Sequence, residues 1–322
     1  MDNYSFLQKT LHKISLGNKL IKKSLFEIEK NFFLKKENFI YNNHIFITGL
    51  PRSGTTSLLN FFYLSDDYAS PTYNDMPFIL SPNLFSKFSF NKKIKKKERI
   101  HNDGIQYDQD SPDSFDEVLF LTFDESEIIH NYVNFISLIL NKYNKTKYLS
   151  KNNYNYKRTE QIISKFPNSS ILIPFRDPLQ HANSLISQHF LFSEKQNSDH
   201  FILEYMNFLG HFEFGINHKS WFKPVKYNNF NEINYWIEQW YLFYSRLEKK
   251  NLNKNLNIFF INYENLCKNK NSKEILLKKF NFNEKNEFSF IFSEKEIKYI
   301  YDKNLLNKCN EVYKKLSNSS LI

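Results

Sequence analysis

The chain has 322 residues, with 44 Lys and Arg against 34 Asp and Glu and a net charge of +10. That length fits one large α/β unit or two smaller ones, and the charge suits a small polyanionic ligand while also fitting a nucleic-acid or membrane-surface binder. Two cysteines cannot build a disulfide framework, no apolar run approaches a membrane span, and Asp2, Lys9, Lys13, Lys22 and Lys23 break the apolar pattern of a signal peptide, so a cytoplasmic setting is expected.

Leu7, Leu11, Ile14, Ile21, Leu25, Ile28 and Phe32 recur at steps of three, four or seven, which predicts an amphipathic helix over about 5–34, broken near Gly17-Asn18. Its other face is rich in lysine. Such a face could touch an anionic membrane, but packing on the helix's own domain is the commoner outcome and is favoured here. A strand over 45–48 precedes a turn and a helix near 55–64. The lysine-rich run between Phe85 and Glu98 reads as an exposed loop, and Ser114-Phe115-Asp116-Glu117 offers a capping box for a helix near 115–129. A strand near 147–150, a helix near 155–165, a strand over 171–175 and a helix from Pro178 to about Phe192 follow. Helical patterns then cover 201–210 and 231–249, where Trp236, Trp240, Tyr241 and Tyr244 mark a core face. A strand over 257–261 and a charged terminal helix over about 293–316 complete the chain. This alternation predicts an α/β fold, a P-loop-like parallel sheet with helices on both faces and with ligands at the carboxyl ends of its strands, within one domain over 1–322.

The turn Gly49-Leu50-Pro51-Arg52-Ser53-Gly54 joins the first strand to its helix. Its two glycines stand five apart, the spacing of a P-loop, where backbone N–H groups and a helix N-terminus converge on an anion. A nucleotide triphosphatase would continue Gly-Lys-Ser/Thr. Here Gly54 is followed by Thr55 and Thr56, and the cation is Arg52, inside the turn. Further on, the strand ending at Phe175 delivers Arg176-Asp177-Pro178, with Ser184 eight residues after Arg176.

The Pro51–Thr56 loop resembles the 5′-phosphosulfate loop of sulfotransferases, which use 3′-phosphoadenosine 5′-phosphosulfate (PAPS) and need no metal. The Arg176 and Ser184 pair is similar to the family's clasp on the 3′-phosphate. Lys151, Tyr263-Glu264-Asn265-Leu266 and the segments Tyr73–Phe78, Arg99–Gly104 and Asp110–Pro112 extend the resemblance, the last three toward a bacterial branch. It implies a cofactor site of Arg52, Ser53, Gly54, Thr55, Thr56, Ser57, Arg176 and Ser184. Arg52 would also meet a sulfuryl oxygen, and Lys151 the bridging oxygen of the departing phosphate.

The reaction also needs a base. The resemblance offers Asp75, 23 residues past Arg52, ahead of His101, with Asp103, Asp110 and Glu117 behind them. An ordinary strand-to-helix turn, a turn-forming Asp75 and a solvated His101 are the plain alternatives. A carbohydrate hydroxyl on a glycan or glycolipid is the acceptor expected by analogy. Two rivals are a P-loop kinase using ATP and a non-catalytic nucleotide- or polyanion-binding module; the missing Lys after Gly54 counts against the first. No paired Cys or His motif suggests a catalytic zinc, and no nucleic-acid partner is expected.

Overall fold

The computed structural model describes residues 4–35, 39–86, 96–99, 104–249, 257–284 and 287–322. The central strands are β1 (Ile45–Ile47), β2 (Tyr68–Ala69), β5 (Lys147–Lys151), β6 (Ser170–Phe175) and β7 (Ile258–Asn262); β3 (Lys97–Glu98) and β4 (Gln106–Tyr107) form a separate antiparallel pair. The helices are α1 (Phe6–Gly17), α2 (Lys19–Phe33), α3 (Thr55–Tyr63), α4 (Glu117–Thr122), α5 (Glu125–Tyr143) and α6 (Thr159–Lys165), then α7 (Pro178–Ser198), α8 (His200–Leu209), α9 (Ile233–Lys249), α10 (Tyr263–Lys268), α11 (Lys270–Phe280) and α12 (Lys303–Ser319).

The five central strands are parallel, in the order β2-β5-β1-β6-β7. Alternate side chains divide between two cores. Ile45, Ile47, Leu149, Leu172 and Ile261 face α3, α10 and α11, whereas Phe46, Tyr148, Ile171, Ile173 and Phe260 face the larger core that α5, α7, α9 and α12 share. Both faces of the sheet are therefore covered, as a parallel sheet requires. The strand order reverses at β1, which is flanked by β5 and β6, so a crevice opens at the carboxyl ends of these three strands. Pro174 is tolerated in β6 because β1 ends at the partner of Leu172; beyond it β6 pairs only with β7.

Several boundaries differ from the sequence reading. The amino-terminal helix does break, because Asn18 caps α2 through bonds from the Leu20 and Ile21 N–H groups. Its lysines pair with the body of the protein: Lys9 with Asp199, Lys13 with Glu204, and Lys19 and Lys23 with Asp124. The helix expected over 115–129 is two helices, with no capping box. Asp116 instead turns inward to accept from the hydroxyls of Tyr132, Tyr148 and Ser150, and Glu117 pairs at 2.8 Å with each terminal nitrogen of Arg158. The terminal helix begins at Lys303, ten residues later than expected, where Asp302 caps it. No helix among the described residues is long and apolar enough to cross a membrane.

Candidate active site

The turn after β1 is shaped by three residues with positive φ: Gly49 at 153°, Arg52 at 69° and Gly54 at 101°. Gly54 is the N-cap of α3 and offers no side-chain cap, so the first N–H groups of that helix face the crevice. A Cβ on Gly54 would lie 2.2 Å from Cδ2 of Tyr263, so the Tyr263 ring, rather than a bound phosphate alone, is what demands glycine here. Ser53 is a correction to the sequence reading. Its hydroxyl donates to the Leu50 carbonyl at 2.7 Å and its side chain is buried, so it closes the loop from inside instead of facing the crevice.

Two cavities meet at this loop. The larger, a cleft of about 690 Å³, is lined by Arg52, Gly54, Thr55, Thr56, Ser57, Arg99, Arg176 and Tyr263, among others. The smaller, of about 120 Å³, has Arg52, Thr55, Thr56, Arg99, Asp113, Lys151, His211 and Glu213 among its lining residues. Arg52, Thr55, Thr56 and Arg99 belong to both and form the junction. At this junction Arg99 Nη1 lies 3.4 Å from Thr56 Oγ1.

The cleft draws its residues from the ends of adjacent strands. Arg176 follows β6, and its Nη2 donates to the Ser293 carbonyl at 3.0 Å. Glu264, just past β7, accepts from the Asp177 N–H at 2.9 Å and stands 3.8 Å from Arg176 Nε, so it positions both the arginine and the start of α7. Ser184, two turns into α7, accepts from Arg52 Nε at 3.2 Å. Tyr263 donates to Ser57 Oγ at 3.1 Å. The loop and Arg176 thus converge on one cleft, whose lining does not include Ser184; that residue meets the cleft only through its bond from Arg52.

The smaller cavity brings Lys151, which the sequence reading named, together with Asp113 and His211, which it missed. Lys151, at the end of β5, lies 3.7 Å from Asp113 Oδ1, and Tyr73 donates to Asp113 Oδ2 at 2.6 Å. Burial raises the Asp113 carboxyl, but the charges of Lys151 and Arg99 outweigh it and hold the group well below the usual carboxylate range. His211 follows α8, and its Nε2 lies 3.1 Å from the Ser114 carbonyl. A carbonyl only accepts, so Nε2 carries the proton and Nδ1 is left basic. His211 also lowers the Asp113 carboxyl when charged, which puts the two groups within electrostatic reach. Asp113 directly follows the quoted Asp110-Ser111-Pro112 and His211 directly follows the expected helix over 201–210; nothing in the spacing alone brings them together.

Asp75 is the second correction. It sits in a 3-10 turn, fully buried as a side chain, where it accepts from the Thr72 N–H at 2.7 Å and from Tyr143 at 2.9 Å and pairs with Lys142. These bonds turn it away from both cavities, whose linings do not include it. Glu117 is likewise committed to Arg158, and Asp110 lines the cleft at its outer edge beside Asn74. His101 and Asp103 lie outside the described residues.

Among solved structures the chain is similar to the sulfotransferase STF1 from Mycobacterium tuberculosis H37Rv (type1 form), at 11% identity and TM-score 0.49, covering 98% of this chain and 87% of that one. It is similar also to the sulfotransferase STF9 from Mycobacterium avium, at 11% identity and TM-score 0.46, over 95% and 76% of the two chains. No curated protein matches it. Residues 44–273, which include the loop, Lys151, Arg176, Ser184, His211 and Glu264, match the model of the sulfotransferase family, and the chain therefore belongs to that family.

Proposed function

We propose that this sulfotransferase takes its sulfuryl group from PAPS and passes it to an acceptor hydroxyl or amine, as one domain spanning 1–322. The observation that carries the reading is the convergence of the Arg52–Ser57 loop and Arg176 on one cleft, with Ser184 behind Arg52 and with Thr55 where a triphosphatase has its lysine. Two features fit the nucleotide. The cleft is of the size that a nucleotide fills. Arg176, whose Nε makes no hydrogen bond among the described residues and faces Glu264 at 3.8 Å, brings its charge to the cleft wall, where a phosphate is attracted.

Bound there, PAPS supplies an activated sulfuryl group. The N–H groups and hydroxyls of Thr55 and Thr56 would hold its 5′ end, and Arg176, with Ser184, its 3′-phosphate. Arg52 and Arg99 place positive charge at the junction, and Lys151 adds its charge from the smaller cavity, where charge on the departing phosphate would build up. His211 Nδ1 takes the acceptor proton, and the Asp113 carboxylate then stabilises the imidazolium. Lys9, Lys13, Lys19 and Lys23 pair with the body of the protein, which supports packing of α1 and α2 on their own domain over contact with a membrane. A carbohydrate or glycolipid is the acceptor class the family resemblance offers.

Calorimetry tests the donor. Adenosine 3′,5′-bisphosphate should bind without magnesium and more tightly than AMP or ATP, and Arg176→Ala should cost about 2 to 5 kcal/mol of that binding by removing a buried partner of the 3′-phosphate. Equal affinity for AMP would overturn the reading.

A further inference from the structure

We infer that Tyr4, at the start of the amino-terminal helix, is the gate of the smaller cavity, closing its way to solvent and setting how long an acceptor can be; this rests on the sulfotransferase reading above. Of the residues that line this cavity without lining the cleft, Tyr4, Tyr73, Tyr107, Asp113 and His211 are half-buried and the rest are buried. These five adjoin one another. Tyr73 donates to Asp113, its ring lies 4.8 Å from that of Tyr107, and both Tyr107 and Asp113 are within electrostatic reach of a neighbour on the rim, Tyr4 and His211 respectively. The cavity therefore reaches solvent on this side. Its other opening is the junction with the cleft, which a bound nucleotide would fill, so an acceptor that follows the donor enters past the rim.

Tyr4 bridges this rim. It comes from the segment packed on α8, while Tyr107 comes from β4, and the Tyr4 ring meets Phe201 and Tyr205 of α8 at 5.9 and 6.3 Å. It is also the rim residue most free to move. Besides these tilted ring contacts it has an edge-on contact with His12 at 5.0 Å. The buried residues of α1 are His12, Ser15 and Leu16, all in its second half, while Phe6 and Leu7 are 88% and 67% exposed. The first turn is fastened to α8 by Lys9, which stands 3.7 Å from Asp199 and 5.1 Å over the Phe201 ring. Partly exposed ion pairs of this kind contribute little, so the first turn can lift while the second half of α1 stays seated. With the turn down, a tail that extends beyond a cavity of about 120 Å³ meets the Tyr4 ring. The family match begins at residue 44, so this closure belongs to the chain's own amino-terminal segment.

Calorimetry with adenosine 3′,5′-bisphosphate on the full chain comes first: failure to bind breaks the sulfotransferase reading, and the acceptor role of the gate with it. With binding established, a thiol placed in the cavity by Leu209→Cys reports access directly. At saturating bisphosphate, its labelling by methyl methanethiosulfonate, located by mass spectrometry, should be about tenfold faster or more when Tyr4→Ala is added. Phe6→Ala, at the exposed position two residues on, should leave the rate unchanged. With labelled PAPS, Tyr4→Ala alone should raise kcat/KM for 1-octanol relative to 1-butanol by about tenfold or more, while bisphosphate affinity holds. An unaltered labelling rate with Tyr4→Ala, equal acceleration by Phe6→Ala, or an unaltered ratio between the two alcohols would overturn the inference.

Discussion

The cleft and the smaller cavity share a wall but are built in different ways. In the cleft the loop residues and Arg176 come from short stretches just past β1 and β6, Arg99 joins them from beyond β3, and Glu264, just past β7, holds Arg176 in place. Tyr4, Arg99, Asp113, Lys151 and the α8–His211 segment reach the cavity from five separate parts of the chain. Anion binding depends on local backbone geometry: left-handed residues in a tight turn and the first N–H groups of a helix. Acceptor binding depends on packing between distant elements, so substitutions should separate the two regions.

The largest separation is expected from Gly54→Val. Its side chain would strike the Tyr263 ring in a backbone conformation that favours glycine, so bisphosphate binding should be lost while circular dichroism reports a retained fold. Normal binding by this variant would remove the turn from the anion site. On the other side of the wall, His211→Gln should lower kcat by about 10² to 10⁴ with bisphosphate affinity unchanged. Unchanged turnover would take the proton away from His211.

Asp75→Asn draws the contrast from outside both regions. It breaks a buried contact with Lys142, so denaturant titration should show a loss of about 1 to 3 kcal/mol, and turnover should not change. A fall in turnover at undiminished stability would return Asp75 to the chemistry. The smallest effect concerns His181, whose Nε2 donates to the Pro51 carbonyl at 2.8 Å beneath the loop. Burial, reinforced by the charge of Arg176, pushes this imidazole down to about 3. The folded state keeps it neutral while the unfolded chain takes up a proton, so its contribution is complete above about pH 6.5 and is lost progressively as pH falls toward 3. His181→Asn should therefore flatten the acid slope of stability by up to about 1.4 kcal/mol per pH unit, read from denaturant titrations between pH 5 and 6.5. An unaltered slope would show that His181 does not set it.

The parallel sheet was legible because β-branched and aromatic runs alternate with helical periodicity, and the loop because Gly49, Arg52 and Gly54 force an unusual turn in so few residues. Arg176 and Ser184 were singled out by resemblance to the family's clasp on the 3′-phosphate, and the structure places Ser184 against Arg52. Asp75 misled because a carboxylate shortly after the loop has the right separation along the chain. Its side chain is instead drawn to Lys142 and Tyr143, nearly seventy positions later, and that contact leaves no local signal. The apparent capping box at Ser114 failed for a similar reason: the deep hydroxyl cluster around Asp116 outcompetes a local helix cap. Asp113 and His211 are joined only through tertiary packing, where one sequence has no periodicity to reveal them.

Arg52, Thr55, Thr56 and Arg99 line both cavities, so neither ligand can bind without altering the surroundings of the other. Thermodynamic reciprocity then fixes the bookkeeping of turnover: the factor by which the nucleotide product changes acceptor affinity is the factor by which the acceptor changes product affinity. If the acceptor tightens the grip of the junction, excess acceptor will hold the spent nucleotide in place and slow the next cycle, and substrate inhibition becomes a property of this shared wall.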